Sequence, residues 1–305
     1  MATFFVVNYK HKQYLCTLFC VTMFKLMFIA AVVAGFVSVD RDFRYKCNYK
    51  ENRDSLLVML EKTTSPNDKA EVYWRLSRAS LMMGAAEQTK AGKREHFGKG
   101  MEYAELGLQL NPSSKECYMW HCANVGRECQ TRSLMEQAGA VPKMTKDLTA
   151  MLDKLGHVNY SEAWQALSEL YYNHPMKSNE AAINFARKAA TCIPDGELRI
   201  STYLHLAELL HKRNWSAGKR ADAAADNAAK FNKAVKSNIE KYSYFDGAKA
   251  SMPWCSKPFT TLSDREEAIA ILAYAKGLFK ACAEPTPIDK QDYAALLEIE
   301  KKMKN

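Results

Sequence analysis

Although the chain has nine cysteines, no two of them stand three residues apart. Structural zinc sites are built on such pairs, so their absence argues against one. Seven cysteines follow the hydrophobic start of the chain, an odd number without tight spacing, which is ordinary usage and not a disulfide scaffold. Cys117, Cys122 and Cys129 lie near His121, but Cys117 and Cys122 are five apart and do not share a helix face cleanly. They read as small core residues, as buried cysteines commonly are. The chain also lacks a glycine-rich phosphate loop, a Gly-x-Ser-x-Gly elbow and a His-Glu-x-x-His pair. Its seven histidines are scattered, and the two that share a helical stretch, His205 and His211, point in different directions. No catalytic residue, cofactor or metal is indicated, and the expectation is a protein that is not an enzyme. Strand signals are nearly absent too, which argues against a sheet-centred fold.

A helical-hairpin pattern is present instead. Trp164, Leu167, Ser168 and Tyr171 are spaced as the first helix of a tetratricopeptide repeat, and Ala182, Ala186, Ala189 and Pro194 follow as its second helix and stop. Large residues on the first helix fill the groove, and small ones on the second let the backbones approach. The proline ends the pair because it has no N–H and disfavours a helical residue before it. Upstream, Tyr73, Trp74, Leu76, Ser77 and Ser80 read as a first helix, with Gly100, Ala104, Gly107 and Pro112 as its partner and stop. The polar stretch 86–94 between them reads as an inserted loop. Tyr118, Trp120, His121, Cys122 and Val125 make a weaker first helix, whose partner over about residues 143–155 lacks the small-residue pattern. Downstream, Tyr203, Leu206, Ala207 and Leu210 pair with Ala221, Ala225 and Ala228 around the breakers of 214–218. An apolar helix over 265–283 and a charged one after Pro287 read as a cap, which a stacked array needs for solubility. The expected fold class is all-α, a short tetratricopeptide-like array of helical hairpins (an α-solenoid). At 305 residues and 48% apolar content the chain can bury a good core.

The segment 15–39 is apolar apart from Thr17, Thr22, Lys25 and Ser38, and two readings of it stand. In one, Leu26 to Phe36 is the core of a signal peptide cleaved after Ala34 or Gly35. In the other, the stretch spans a bilayer, which takes about 20 apolar residues. Arg41, Arg44, Lys46, Lys50 and Arg53 follow it, against Lys10 and Lys12 before it. This charge bias favours an anchor with the helical domain on the cytosolic side. Asn159-Tyr160-Ser161 and Asn214-Trp215-Ser216 are glycosylation sequons that matter only on the secreted reading. The organisation expected is a hydrophobic segment over 1–40, a linker over 41–54, the repeat domain over 55–285 and a capping helix with a charged tail over 286–305.

The net charge is +9, from 43 basic and 34 acidic residues, which favours acidic partners without choosing among them. On a helix of about 3.6 residues per turn, Lys230, Lys233, Lys236 and Lys241 project within roughly 140° of one another, with Lys219 and Arg220 upstream. These six are the candidate partner-binding residues. Taken singly, each reads more plainly as part of a solvated helix face.

The run Glu71-Val72-Tyr73-Trp74-Arg75-Leu76-Ser77-Arg78-Ala79 resembles the Trp-Arg-Leu-Ala-Arg-Ala signature of the regulator of microtubule dynamics proteins. Gly100 to Glu105, Leu110 to Ser114 and Trp120 continue the likeness in the family's order, over about Ser55 to Gly126. Residues 144–155 depart from the family's further hairpin. The resemblance implies a tetratricopeptide-type domain without enzyme activity that associates with microtubules and spindle poles, in several relatives behind an N-terminal membrane segment. The partners it implies are tubulin or another acidic protein surface, and a membrane through the N-terminal segment; nucleic acid is not expected. Some members are tied to organelle contact sites. The alternative is therefore a secreted or contact-site protein that holds a peptide or lipid in a groove lined by Trp74, Trp120, Trp164 or Tyr203.

Overall fold

The computed structural model describes residues 34–137, 139–173, 177–233, 237–247, 252–258 and 261–304. The chain divides into two units, residues 1–48 and 49–305. In the first, residues 34–45 form a helix, α1, whose Phe36, Val39 and Phe43 are buried at helical spacing while Val37 is exposed. Most of the segment expected as anchor or leader lies outside the described residues. Among the described residues no helix is long and apolar enough to cross a membrane.

The second unit is helical, with no strand among its described residues. It begins with α2 (Tyr49–Lys62), α3 (Pro66–Ala86) and α4 (Lys90–Leu110), and α3 packs on both neighbours. Ser65 caps α3, with its Oγ accepting from the Asp68 N–H, and Pro66 opens the helix where a missing N–H is harmless. The loop expected over 86–94 shrinks to three residues. Thr89 caps α4 by accepting from the Gly92 N–H, so Lys90 to Arg94 are the first turn of that helix. One strong cap outweighs the polar, glycine-containing composition that suggested a loop.

Along α4 the small residues Gly100, Ala104 and Gly107 are buried and let two other helices approach. A Cβ on Gly100 would lie 2.3 Å from Asn124 Oδ1, and one on Gly107 would lie 2.5 Å from Cys117 Sγ and 3.3 Å from Tyr73 Cβ. Asn124 and Cys117 belong to α5 (Lys115–Cys129), and Tyr73 to α3. Tyr73 also stacks on Tyr103, Leu76 is fully buried, and Pro112 sits exposed in the turn after α4. The short α6 (Leu134–Gln137) leads to α7 (Ala140–Thr149), which packs on α5 and runs on as a π-helical turn over Ala150–Lys154.

Next come α8 (Ser161–Asn173) and α9 (Asn179–Thr191), packed against each other. Ser168 Oγ donates to Ala182 O at 2.7 Å and Ser161 Oγ to Ala189 O at 2.8 Å, two contacts that fix an antiparallel pair. Trp164, Leu167, Ala182 and Ala186 are buried, and Pro194 lies exposed past the end of α9. Trp164 stacks on Phe185 at 5.7 Å and its Nε1 donates to Val158 O at 2.9 Å. Tyr171 meets Phe185 edge-on at 5.0 Å.

The last pair departs from expectation. α10 (Ile200–Arg213) packs on α9, on α13 (Asp264–Ala281) and on α14 (Pro287–Lys304), while α11 (Ala217–Asn232) lies against α12 (Asn238–Tyr242) and the 3-10 turn Phe245–Gly247. Ala221 and Ala225, expected opposite Tyr203 and Leu206, are exposed. α13 offers Ala268, Ile271, Leu272 and Ala275 at helical spacing, far more apolar surface than alanines alone. Residues 214–262 are thus an excursion between the two helices of the final pair. The succession of antiparallel pairs fits an α-solenoid.

Candidate interaction surface

α11 starts where Asn214 takes a left-handed conformation (φ 52°) and Ser216 caps the new helix. Arg220 is its one buried residue, while Ala223, Ala224, Asn227, Ala228 and Phe231 on the same face are half-buried. The opposite face carries Lys219, Asp222, Asp226 and Lys230 into solvent. α11 ends at Asn232, because Lys233 turns extended, so the lysines do not share one continuous helix as the spacing suggested. Lys233 is exposed beyond the helix end, Lys241 lies on α12, and Lys236 is outside the described residues.

Three lysines of this surface sit over aromatic rings. Lys219 Nζ is 4.4 Å from the Trp215 ring centre, Lys230 is 5.3 Å from that of Tyr244, and Lys241 is 5.0 Å from that of Phe231. Such contacts contribute on the order of 0.5–1 kcal/mol at exposed sites, and they fix where each charge stands. Lys230 is also paired with Asp226 at 2.6 Å.

Arg220 requires correction. Its side chain is 3% exposed, so it presents nothing to a partner. Lys219 and Arg220 are adjacent in sequence but about 100° apart around a helix, so one faces out when the other faces in. Arg220 enters a network in which three arginines meet three carboxylates. Glu267 accepts from Arg187 Nε (3.2 Å) and Nη2 (2.9 Å), from Arg220 Nη2 (2.7 Å) and from Trp254 Nε1 (3.2 Å). Asp264 accepts from Arg213 Nε and Nη2 (2.8 and 2.7 Å) and from the Trp215 N–H, and lies 3.6 Å from Arg220 Nη1. Arg187 also meets Asp246. Burial alone would push the Glu267 carboxyl up, and the charge and hydrogen bonds of Arg187, with Arg220, hold it below the ordinary carboxylate value instead. The network ties α9, α10, α11, α13 and the 3-10 turn together.

In the amino-terminal half, Trp74 Nε1 donates to Glu71 Oε2 at 2.8 Å, and Arg75 and Arg78 stack on its ring at 4.1 and 4.9 Å. Trp74 is buried and Trp120 half-buried. Asn124 Nδ2 donates to Trp120 O (2.8 Å) and to Ser77 Oγ (3.1 Å). His121 bridges two helices, its Nδ1 lying 2.6 Å from Asp147 Oδ2 and its Nε2 3.3 Å from Glu105 Oε1. Nothing in the spacing of these three residues announces that contact. Cys117 and Cys122 are fully buried. Among the described residues no group of His, Cys, Asp and Glu is placed to hold a metal ion.

Residues 39–149 match the family described as regulator of microtubule dynamics protein 1-3. Over these residues the chain is similar to that family. The matched stretch ends with α7 and holds the Trp74 group, the Gly100–Asn124 contact and the His121 bridge, while the lysines of α11 and α12 lie beyond it. No curated protein matches the chain.

Proposed function

We propose that the chain is a non-enzymatic interaction protein of the microtubule-regulator type: a tetratricopeptide-like array that docks on an acidic protein surface, tubulin foremost, through the lysines around α11. The observation that carries this reading is the family match over 39–149. It is supported by the excess of basic residues and by lysines seated on rings at fixed positions. A contact of this kind weakens with salt, because exposed charges are screened beyond a Debye length of about 8 Å at physiological ionic strength.

Co-sedimentation with polymerised tubulin tests it. The pelleted fraction should fall as salt rises, and it should fall again when Lys219, Lys233 and Lys241 are reversed to Glu. Lys230 is left alone because a glutamate there would face Asp226 one helical turn away and weaken α11 itself. Pelleting that the triple reversal leaves unchanged removes this face from the proposal. A native chain that stays in the supernatant at low salt removes the tubulin reading.

A further inference from the structure

α11 packs on the 3-10 turn Phe245–Gly247 and on α12, but has little backbone contact with α9, α10 or α13. Among its described residues only Arg220 is buried, and Phe231, three turns later on the same face, is half-buried with its ring 5.8 Å from that of Tyr242 and 6.3 Å from that of Phe245. Between these two points the inward face is Ala223, Ala224, Asn227 and Ala228, which bury little apolar area. Each attachment has a surface lysine beside it: Lys219 precedes Arg220, and Lys230 precedes Phe231.

We infer that Arg220 is an ionic clasp that positions α11, and with it the lysine surface, on the terminal helix pair without being needed to hold that pair together. The partner geometry carries the second half of the statement. Without the Arg220 guanidinium, Glu267 keeps its two-pronged contact with Arg187 and its bond from Trp254, and Asp264 keeps its two-pronged contact with Arg213 and the Trp215 N–H. Both carboxylates remain bonded and α10 stays against α13. α11 loses its only buried side chain. The helix therefore opens as a local unit, separately from global unfolding. The consequence for partner binding rests on the lysine-surface reading above; the clasp itself does not.

Hydrogen exchange of the full chain tests the inference with two variants. Arg220→Met keeps the volume of the stem and removes the charge, leaving the network one positive charge short. Arg220→Met with Glu267→Gln restores neutrality. In both, peptides covering 217–232 should exchange at least about tenfold faster, while in Arg220→Met, where both carboxylates keep their other bonds, those covering α10 and α13 hold their native rates. Acceleration spread equally over α10, α11 and α13 in Arg220→Met would show that Arg220 holds the core, and would overturn the inference. So would native protection of α11 in either variant; in the double variant alone, it would trace the effect to charge imbalance. Tubulin pelleting is a separate readout. If the native chain pellets, the released arm should pellet less; if it does not, the exchange result still decides the clasp.

Discussion

Two glycines two residues apart on α4, on different faces, respond in opposite directions to the same substitution. A Cβ on Gly98 meets nothing within 4 Å. Gly98→Ala should therefore show only the helix-propensity gain, about 0.5–1 kcal/mol of added stability. Two residues on, a Cβ on Gly100 would lie 2.3 to 2.6 Å from three atoms of the Asn124 amide. That side chain is fully buried and held by its bonds to Trp120 O and Ser77, so it cannot swing away cheaply. Overpacking of this kind costs about 1–3 kcal/mol, and weakening the buried amide's bonds adds on the order of 1 kcal/mol. Set against the same propensity gain, Gly100→Ala should lose about 1–3 kcal/mol net. Urea denaturation followed by circular dichroism measures both variants, with the slope checked for constancy. A cycle with Asn124→Ala completes the test: in that background the penalty at Gly100 should largely vanish, giving a coupling of about 1–3 kcal/mol. Equal effects of the two alanines, or no coupling to Asn124, would refute the close approach of α5 to α4 on which the packing of the matched stretch depends.

Trp164→Ala should destabilise by about 3–5 kcal/mol, since the ring is fully buried against Phe185 and Tyr242 and its N–H is bonded to Val158 O; a loss under about 1 kcal/mol in the same urea assay would place it outside the core. Stability should fall on both sides of about pH 6.5. Burial tends to lower the His121 pKa, but the hydrogen bond and charge of Asp147, with Glu105, raise it above the ordinary value. Its contribution is thus present below about pH 6.5 and is lost as the pH rises through the higher folded value. His205 moves the other way: burial lowers its pKa, partly opposed by Glu169. Because Ser168 Oγ donates to Ala182 O, His205 Nε2–H donates to Ser168 at 3.0 Å in either charge state, and it is burial of the charged ring that costs stability as the pH falls below about 6.5. His121→Gln should flatten only the alkaline limb of stability against pH and His205→Gln only the acid limb; an alkaline limb that survives in the first variant removes the His121 bridge. Lys219→Glu with Lys233→Glu and Lys241→Glu should lower tubulin pelleting at a cost of about 1–2 kcal/mol in the urea assay, because the ring contacts of Lys219 and Lys241 are lost.

Helical content was legible because it depends on local spacing. The Trp164–Tyr171 run and the small residues of α4 and α9 each mark a helix by chemistry within one or two turns. The family likeness was legible for the same reason, since Trp74, Arg75 and Arg78 stand within five residues and form one stacked group. Pairing was legible between helices that lie close in sequence, as in α3 with α4, α5 with α7 and α8 with α9. The choice of α13 over α11 as the partner of α10 compares two apolar faces that lie at different distances along the chain, and only the folded chain makes that comparison. The same holds for Arg220. Sequence places it beside Lys219 in an apparent basic patch, whereas its direction is set by carboxylates more than forty residues away. Local periodicity determined which segments coil and which residues are large or small along them; the competition among distant faces for the core, and the pairing of buried charges across it, belonged to the tertiary structure because burial is a property of the whole assembly of helices and not of any one of them.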